Sequence, residues 1–432
     1  MNASQKSLDP RLVSWRWRVF FSTYLCYFGM YFCRKPFYVA KAGLGEHFHL
    51  TATSLGVLET AYLLAYTVGQ FAAGGIGNKV GPRITLIAGM AASIVANVVF
   101  GVTDVFALFV VAMVVNGLGQ ATGWSGGVGT MGNWFHKRER GTWMGWWATN
   151  YQFGGFLATF LASWLLGHFG VSASFFGGAA VLFTILLFFV PNQRNRPEDV
   201  GLPPVEDPVD DAEGEGDDAP ASEIPVPEET GWSRDAIVTV LLVGTFYFFV
   251  KFIRYALWSW VPYFLKLNYA QSAEASGYLS TLFDFAGIPG VIVAGWLSDK
   301  LFRSRRTIVS FLFLLGLTGS CLVMWKLGGT SLTIFGGALL LIGFTLYGPD
   351  ALMTGAGAIE VGSRANATLA AGVINGMGQV GAVVQALAIG KLYDKLGGQL
   401  GPIFLLLVGS AVMATLLLGV VLIRNRLGKS AL

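Results

Sequence analysis

Four basic residues lie inside otherwise apolar segments of the chain: Arg34, Lys35, Lys251 and Arg254. An arginine at the centre of a membrane-spanning helix costs roughly 2.5 to 3.5 kcal/mol on insertion scales, and its guanidinium keeps its proton in proteins. An anion or water must therefore face each arginine. Because guanidinium groups bind oxyanions through two parallel hydrogen bonds, these residues predict an anion-binding site.

The basic residues belong to a repeated pattern of aromatic and basic side chains. In both copies the residues fall at relative positions 0, 4, 7 and 11, which is one face of a helix. The first copy is Tyr27, Tyr31, Arg34 and Tyr38, and the second, 220 residues later, is Tyr247, Lys251, Arg254 and Trp258. The pattern predicts two related halves, each of which presents a basic residue within an aromatic stripe.

The composition is typical of a membrane protein. The chain is 54% hydrophobic and 12% charged, whereas soluble domains are about 25% charged. Apolar runs near the twenty residues that cross a bilayer recur along the chain. We predict an all-α membrane protein with twelve transmembrane helices in two pseudo-symmetric six-helix bundles, with spans near 17–38, 55–77, 84–103, 105–133, 142–167, 172–191, 236–265, 275–297, 307–326, 331–357, 367–392 and 401–423.

An acidic segment separates the two sets of six spans. Residues 197–231 contain 13 of the 25 acidic residues and seven prolines, and no lysine or arginine. Such a composition cannot form a packed core and predicts a solvated linker. The expected organisation is an N-terminal bundle of residues 1–191, an acidic Pro-rich cytoplasmic linker of residues 192–234 and a C-terminal bundle of residues 235–432.

The distribution of cations predicts the orientation in the membrane. Twenty lysine and arginine residues fall in the termini and the even-numbered loops. Because cytoplasmic loops are enriched in these residues, we expect both termini to be cytoplasmic in a multi-pass protein of the bacterial inner (plasma) membrane. The opposite side has five cations: Lys41, Lys266, Lys326, Lys391 and Lys395.

Neither arginine has a carboxylate on its own helical face. A phosphate group, with about 1.5 to 2 negative charges near neutral pH, therefore fits a site with both arginines. The alternative is a closed core in which Arg34 or Arg254 pairs with an acid of another helix. Asp284 is the carboxylate most able to pair with Arg254 or Lys251 in an empty site, with a plain structural ion pair as the equal alternative, and Lys35 is expected in charge pairing or packing. The other acids in spans are Glu59, Asp350 and Glu360, of which the last two lie toward helix ends.

Several motifs resemble one family of transporters. The matching stretches are FCRKPF (32–37), GNWFHKRERGTWMGWW (132–147), PEDVGLPP (197–204), FIRYALWSWVPYFL (252–265), AGIPGVIVAGWLSDK (286–300) and LYGPDAL (346–352). The chain resembles the organophosphate:phosphate antiporter family of the major facilitator superfamily, which includes glycerol-3-phosphate and hexose-phosphate transporters. The resemblance implies that Arg34 and Arg254 bind phosphate, with Tyr27, Tyr31, Tyr66 and Tyr347 near the cavity.

Other candidates come from departures from this family and from polar residues within spans. Gln70 replaces a common lysine, Lys251 replaces a tyrosine of the glycerol-3-phosphate type, and Tyr151 replaces a histidine of that type. The amides Asn150, Asn375 and Gln379 are expected either to join helices or to contact substrate. Asp299, in the basic loop after span 8, is expected to take part in gating or charge pairing.

The predicted function is exchange of a phosphorylated organic metabolite, of the sugar phosphate or glycerol phosphate class, for inorganic phosphate by alternating access. One alternative is a receptor that binds external sugar phosphate without transport. Another is a proton-coupled carrier of organic anions in which Asp284 or Glu59 titrates. We expect no catalytic residues, metal, cofactor or nucleic acid, so the protein is not expected to be an enzyme, and one monomer suffices to form the pathway.

Overall fold

The computed structural model describes residues 9–136, 143–144, 146–147, 149–205, 234–302, 305–354 and 356–428, with the backbone alone for residues 71, 74–76, 78, 299, 354 and 356–371. Every regular element in these ranges is helical. The helices form twelve spans: span 1 consists of Pro10–Met30 and Lys35–His47, and spans 2 to 12 are Ala52–Val80, Pro82–Val102, Phe106–Trp134, Asn150–Phe169, Val171–Asn192, Arg234–Asn268, Ala273–Trp296, Arg306–Leu327, Leu332–Thr354, Ala356–Lys395 and Gly401–Arg426.

The prediction of an all-α protein with twelve spans is confirmed. In the part of the chain described, nine helices are by themselves long and apolar enough to cross a membrane. The other spans are span 1, which is interrupted and contains Arg34 and Lys35, span 2 and span 5. Their side chains include the polar groups of the site described below, which explains their weaker apolar signal.

Two helix starts on the same side of the molecule are capped by hydroxyl groups. Thr51 precedes span 2 and its side chain accepts a hydrogen bond from the backbone N–H of Ser54. Ser272 precedes span 8 and accepts from the N–H of Ala275. Such caps satisfy backbone donors that have no partner within the helix. Spans 2 and 8 are the second spans of their respective halves, so the caps extend the sequence repeat to local structure.

The two halves meet near these caps. The Asp394 carboxylate, near the end of span 11, accepts hydrogen bonds from the backbone N–H groups of Ala52 at 3.1 Å and Thr53 at 2.7 Å. The acid of one half thereby binds the helix N-terminus of the other, where the helix dipole favours a negative charge. Beside it, Lys266 Nζ of span 7 lies 2.8 Å from Glu46 Oε1 of span 1. These contacts form a seal between the halves, which we call the interhalf seal.

Small residues allow the helices to approach closely at this seal. A Cβ atom on Gly56 of span 2 would collide with the backbone oxygen of Ala386 in span 11. One turn further, a Cβ on Gly390 of span 11 would collide with the backbone oxygen of Ala52. Glycine at interfaces between membrane helices lets backbones pack directly against each other. The contact between spans 2 and 11 therefore depends on these two glycines.

The first residues after span 6 correct one prediction. Part of the expected solvated linker instead packs against the N-terminal half, since Leu202 is buried. The Asp199 carboxylate accepts from the N–H of Asn195 at 2.8 Å, and Trp134 Nε1 donates to the Arg194 carbonyl at 3.0 Å. These hydrogen bonds hold the backbone after span 6 in place, which the acidic composition of the segment did not predict. The remaining acidic residues, 206–233, lie outside the described residues.

Candidate functional site

The interruption of span 1 positions the first arginine. Pro36 lacks a backbone N–H and its ring clashes with the carbonyl four residues earlier, so a regular helix cannot continue through it. The chain forms a short 3₁₀ turn at Tyr31–Cys33, directly before Arg34. The carbonyls released by this break need partners within the membrane. They accept from three amides: the Cys33 oxygen from Asn97 Nδ2 at 3.0 Å and Asn116 Nδ2 at 2.8 Å, and the Met30 oxygen from Gln120 Nε2 at 2.6 Å.

A cavity of about 330 Å³ lies between the halves, next to this break. The loops that follow spans 1 and 7 lie on one side of the interhalf seal, and the cavity lies on the opposite side. Cavities of this size are typical of sites for small molecules. The lining residues of the N-terminal half are Tyr27, Tyr31, Arg34, Tyr66, Gln70, Trp124 and Tyr151, and those of the C-terminal half are Tyr247, Lys251, Arg254, Tyr255, Trp258, Asp350, Ala351, Asn375 and Gln379.

Arg34 is held by tyrosines. Its Nε donates to the Tyr62 hydroxyl at 2.5 Å. The guanidinium carbon lies 5.2 Å, 5.3 Å and 4.9 Å from the ring centroids of Tyr31, Tyr62 and Tyr66. Among the described side chains, no carboxylate forms an ion pair within 4.0 Å of Arg34. Aromatic faces stabilise a cation without neutralising it, so the charge of Arg34 is available to an anion in the cavity.

Arg254 has an acidic partner that the sequence analysis did not assign to it. Its Nη1 lies 2.6 Å from Asp350 Oδ2 of span 10. Its guanidinium also lies over the rings of Tyr151, Trp258 and Tyr347, with distances to the centroids of 5.5 Å, 4.6 Å and 4.8 Å. Asp350 and Arg254 are distant in sequence and lie on different helices, so the stripe that contains Arg254 does not reveal the pair.

An aromatic wall connects the two arginines. The Tyr31 ring of the N-terminal half contacts the Trp258 ring of the C-terminal half at 6.2 Å between centroids. Arg34 lies over Tyr31 and Arg254 lies over Trp258. The repeat predicted from the two stripes thus brings one guanidinium from each half to the same cavity.

The third cation of the cavity is Lys251. Its Nζ donates to Gln379 Oε1 at 3.1 Å and to Asn375 Oδ1 at 3.5 Å. Both amides are in span 11 and both line the cavity. On the facing wall, Gln70 Nε2 donates to the Tyr66 hydroxyl at 3.0 Å. The cavity therefore has neutral hydrogen-bonding groups on both sides as well as its cations.

Asp284 pairs differently from the expectation. It was expected beside Arg254 or Lys251, but its Oδ2 lies 3.2 Å from Nζ of Lys35, in the other half. Its Oδ1 accepts from Trp258 Nε1 at 2.5 Å and from the Tyr347 hydroxyl at 2.6 Å. The expected partner is wrong because Lys35, which follows the break in span 1, projects toward span 8. Asp284 and Lys35 form a buried ion pair across the interface.

A second buried ion pair lies nearer the interhalf seal. Lys41 was expected in a loop, yet it is fully buried, and its Nζ lies 2.7 Å from Glu59 Oε2 of span 2. The C-terminal half completes the cluster: Ser259 hydrogen-bonds both Lys41 and Glu59, and Gln385 Nε2 donates to Glu59 Oε1 at 3.0 Å. Lys41 was misplaced because the helix after Pro36 continues to His47, well beyond the predicted end of the span.

Apart from Asp284 and Lys35, which pair with each other, the predicted site residues divide into three groups. Tyr347 and Asn150 are buried but do not line the cavity; Tyr347 lies behind it, bound to Asp284. The side chain of Asp299 lies outside the described part of the chain. The sequence reasoning missed Trp124, Tyr255 and the role of Asp350, although an acid in an apolar span was a usable signal. The predicted residues that line the cavity are Arg34, Arg254, Lys251, Tyr31, Tyr27, Tyr66, Tyr151 and Gln70.

The formal charges of the cavity are now defined. Arg34, Lys251 and Arg254 contribute three positive charges, and Asp350 contributes one negative charge among the described lining residues. The Lys35–Asp284 pair behind them is neutral as a unit. The net formal charge of two matches a phosphate group, which has about 1.5 to 2 negative charges near neutral pH.

Known proteins are similar to this chain in sequence and fold. It is 29% identical over 424 residues to a probable hexose phosphate transport protein of Chlamydia pneumoniae, covering 96% of this chain and 92% of that protein. It is 30% identical to the glycerol-3-phosphate transporter of Bacillus subtilis, covering 95% and 93%. The membrane sensor protein UhpC of Escherichia coli is 26% identical, covering 90% and 88%.

The fold is also that of a solved transporter structure. A bacterial homologue of the human lysosomal transporter Spinster, in an inward-facing and unoccupied conformation, matches with a TM-score of 0.71 and 16% identity, covering 94% of this chain and 95% of that one. Residues 23–386 match the Major Facilitator Superfamily. The resemblance noted from the motifs is confirmed, and the chain belongs to the Major Facilitator Superfamily, among its organophosphate transporters.

Proposed function

We propose that this protein exchanges a phosphorylated organic metabolite, of the sugar phosphate or glycerol phosphate class, for inorganic phosphate by alternating access. The observation that carries the proposal is the convergence of Arg34 and Arg254, one from each half, on one cavity. The names of the relatives, which include hexose phosphate and glycerol-3-phosphate transporters, support the same substrate class.

The phosphate group binds between the two guanidinium groups. Arg34 supplies a charge that no described carboxylate neutralises. Arg254 supplies the guanidinium N–H groups that are not bonded to Asp350. Guanidinium binds phosphate oxygens with paired, charge-assisted hydrogen bonds, which are about twice as strong as neutral ones. The tyrosine rings around both arginines keep them in place while leaving their charge intact.

The same charges explain why transport is exchange. Closing an empty cavity removes water from Arg34, Lys251 and Arg254, whose three positive charges Asp350 offsets only in part, and desolvation of uncompensated charge is costly. A bound phosphate neutralises these cations and bridges the two halves, which lowers the cost of closure. Phosphate or a phosphate ester must then occupy the site in each direction of movement.

We infer the open side from the arrangement of the halves and the predicted orientation in the membrane. The interhalf seal closes the side that includes the start of span 2 and the end of span 7. With both termini in the cytoplasm, as the distribution of cations predicts, the cavity lies on the cytoplasmic side of this seal. We assign the structure to the inward-facing state of a monomeric carrier in a bacterial inner membrane.

The proposal is tested with purified protein in vesicles loaded with unlabelled phosphate. We expect uptake of labelled phosphate to require internal phosphate and to be inhibited by glucose 6-phosphate or glycerol 3-phosphate. A pH gradient imposed on vesicles without internal phosphate is expected to produce no uptake of labelled phosphate. Uptake driven by that gradient alone contradicts exchange and favours the proton-coupled carrier.

A sensor is the second candidate, since one of the relatives is named as a membrane sensor. The binding cavity of a sensor and that of a carrier present the same chemistry, so binding does not distinguish them. A sensor binds sugar phosphate without flux. Saturable binding of glucose 6-phosphate in the absence of any phosphate exchange would replace the transport proposal with this one.

A further inference from the structure

Asp350 is an acid in a cavity otherwise charged by cations. It is buried in span 10, lines the cavity, and its Oδ2 lies 2.6 Å from Nη1 of Arg254. The carboxylate therefore occupies one arm of a guanidinium fork that faces the site. A substrate oxyanion and the Asp350 carboxylate compete for the same donors.

The arginine does not need this acid to hold its position. The rings of Tyr151, Trp258 and Tyr347 already surround its guanidinium. Arg34 provides an internal comparison, since it occupies the equivalent position of the repeat and is held by tyrosines with no described carboxylate within ion-pair distance. The asymmetry between the halves therefore points to a role of Asp350 in selecting the substrate.

The charge of the cavity defines that role. Without Asp350 the described lining residues have three formal positive charges, and with it they have two. A phosphate monoester has up to two negative charges, which exhausts the available cations. A substrate with a further carboxylate places a negative charge near Asp350 with no cation to neutralise it, and an unpaired charge in a desolvated site is unfavourable.

The remaining polar groups suit an uncharged organic part. Gln70, Asn375 and Gln379 line the cavity with amide groups, which both donate and accept hydrogen bonds. Such groups bind hydroxyls without favouring either sign of charge. Asn375 and Gln379 also accept from Lys251, which places the amides within reach of the cationic end of the cavity.

We propose, on the basis of the exchange function above, that Asp350 is a specificity-determining residue that restricts the substrate to one phosphate group on an uncharged, hydroxylated organic part. It excludes phosphorylated carboxylates by keeping the net charge of the cavity at two. Its removal admits substrates with one more negative charge.

Two three-carbon compounds test this selection, since glycerol 3-phosphate and 3-phosphoglycerate differ by a carboxylate. Each is used to inhibit exchange of labelled phosphate in vesicles that contain the wild type, Asp350→Asn or Asp350→Glu. In Asp350→Asn the ratio of the two inhibition constants shifts toward 3-phosphoglycerate by about tenfold or more, equivalent to about 1.4 kcal/mol. Asp350→Glu keeps the charge and the wild-type preference. Asp104→Asn, an exposed acid away from the cavity, controls for the substitution itself.

The outcomes separate this inference from the proposed function. An unchanged ratio in Asp350→Asn, or an equal shift in Asp350→Glu, overturns the selection by charge and leaves phosphate exchange standing. Absence of phosphate exchange in the wild type overturns both. If Asp350→Asn binds but does not exchange, the ratio is measured by ligand-induced thermal stabilisation in detergent, and the same shift is required.

Discussion

At the scale of residues, the site combines two arginines whose surroundings differ. Arg34 is bound by a tyrosine hydroxyl and aromatic rings, whereas Arg254 also pairs with Asp350. Aromatic contacts stabilise a cation by about 0.5 to 2 kcal/mol and leave its charge available. Arg34 therefore attracts an incoming anion more strongly than Arg254 does, because Asp350 offsets part of the charge of Arg254.

Replacement of either arginine by lysine keeps the charge and removes the fork. Charge-assisted hydrogen bonds contribute about 1.5 to 3 kcal/mol, so the phosphate concentration for half-maximal exchange rises roughly ten- to a hundredfold in Arg34→Lys and Arg254→Lys. Arg424→Lys is the matched control, because this arginine pairs with Asp235 far from the cavity. Exchange with wild-type affinity in both cavity variants would exclude bidentate binding by these residues.

The hydroxyl of Tyr62 orients Arg34 by accepting from its Nε. In Tyr62→Phe this bond is lost, which costs about 0.5 to 1.5 kcal/mol and weakens phosphate affinity roughly two- to tenfold. Tyr38→Phe is the control, since Tyr38 is also buried and its hydroxyl has no hydrogen-bond partner within the described part of the chain. Equal effects of the two substitutions on exchange would show that the Arg34 contact has no role in binding.

At the scale of elements, the interruption of span 1 and the packing of span 2 against span 11 determine the site and the seal. The break at Tyr31–Cys33 turns Arg34 toward the cavity and directs the helix from Lys35 to His47 between the halves. Two cationic side chains of this second helix, Lys35 and Lys41, form buried ion pairs across or beside the interface. Both pairs lie between the cavity and the interhalf seal, and the Lys41–Glu59 pair is the nearer of the two to the seal.

We expect the loss of one partner of the Lys41–Glu59 pair to destabilise the protein. Lys41→Met leaves Glu59 buried and unpaired, which costs about 3 to 5 kcal/mol and lowers the temperature of unfolding in detergent. Because an uncharged pair avoids this penalty, the double variant Lys41→Met, Glu59→Gln recovers most of the loss. A double variant less stable than Lys41→Met would show that the charge of Glu59 is compensated elsewhere.

The close crossing of spans 2 and 11 provides a test of alternating access. In Gly56→Leu the new side chain collides with the Ala386 carbonyl, so the closed arrangement at the interhalf seal is disfavoured. We expect a folded protein with strongly reduced exchange and increased labelling of a cysteine placed at Thr53. Gly409→Leu is the control, because a Cβ at Gly409 meets no neighbour. Normal exchange in Gly56→Leu would show that this crossing does not have to close.

The sequence predicts elements well and partners across elements poorly. Long apolar runs identify the twelve spans, since a bilayer requires them, and the shared spacing of two stripes brings Arg34 and Arg254 together. The Asp350–Arg254 and Lys41–Glu59 pairs join residues of different helices, and no local period encodes such contacts. The extension of span 1 to His47 escaped prediction for a related reason: Pro36 interrupts the helix and the chain then resumes it.

At the scale of the whole molecule, the protein is a multi-pass membrane transporter and not an enzyme, as its superfamily and relatives establish. Its two halves are joined at the interhalf seal and separated around the cavity. Transport requires this arrangement to reverse, and in the mechanism we propose a phosphate bridge between Arg34 and Arg254 supplies the free energy that favours closure around substrate. In this mechanism the same phosphate contact accounts for substrate binding and for the closure of the two halves.

The most direct measurement is the distance between the halves on the cavity side with and without phosphate. Spin labels at Lys79→Cys and Lys300→Cys report it, because both residues are exposed near the cavity-side ends of spans 2 and 8, and the native cysteines Cys26, Cys33 and Cys321 are buried. We expect phosphate to shorten this distance in the otherwise wild-type protein, and we expect Arg254→Lys to remove the shortening at the same concentration. An unchanged distance at saturating phosphate, or an equal shortening in Arg254→Lys, would contradict closure driven by a phosphate bridge between the halves.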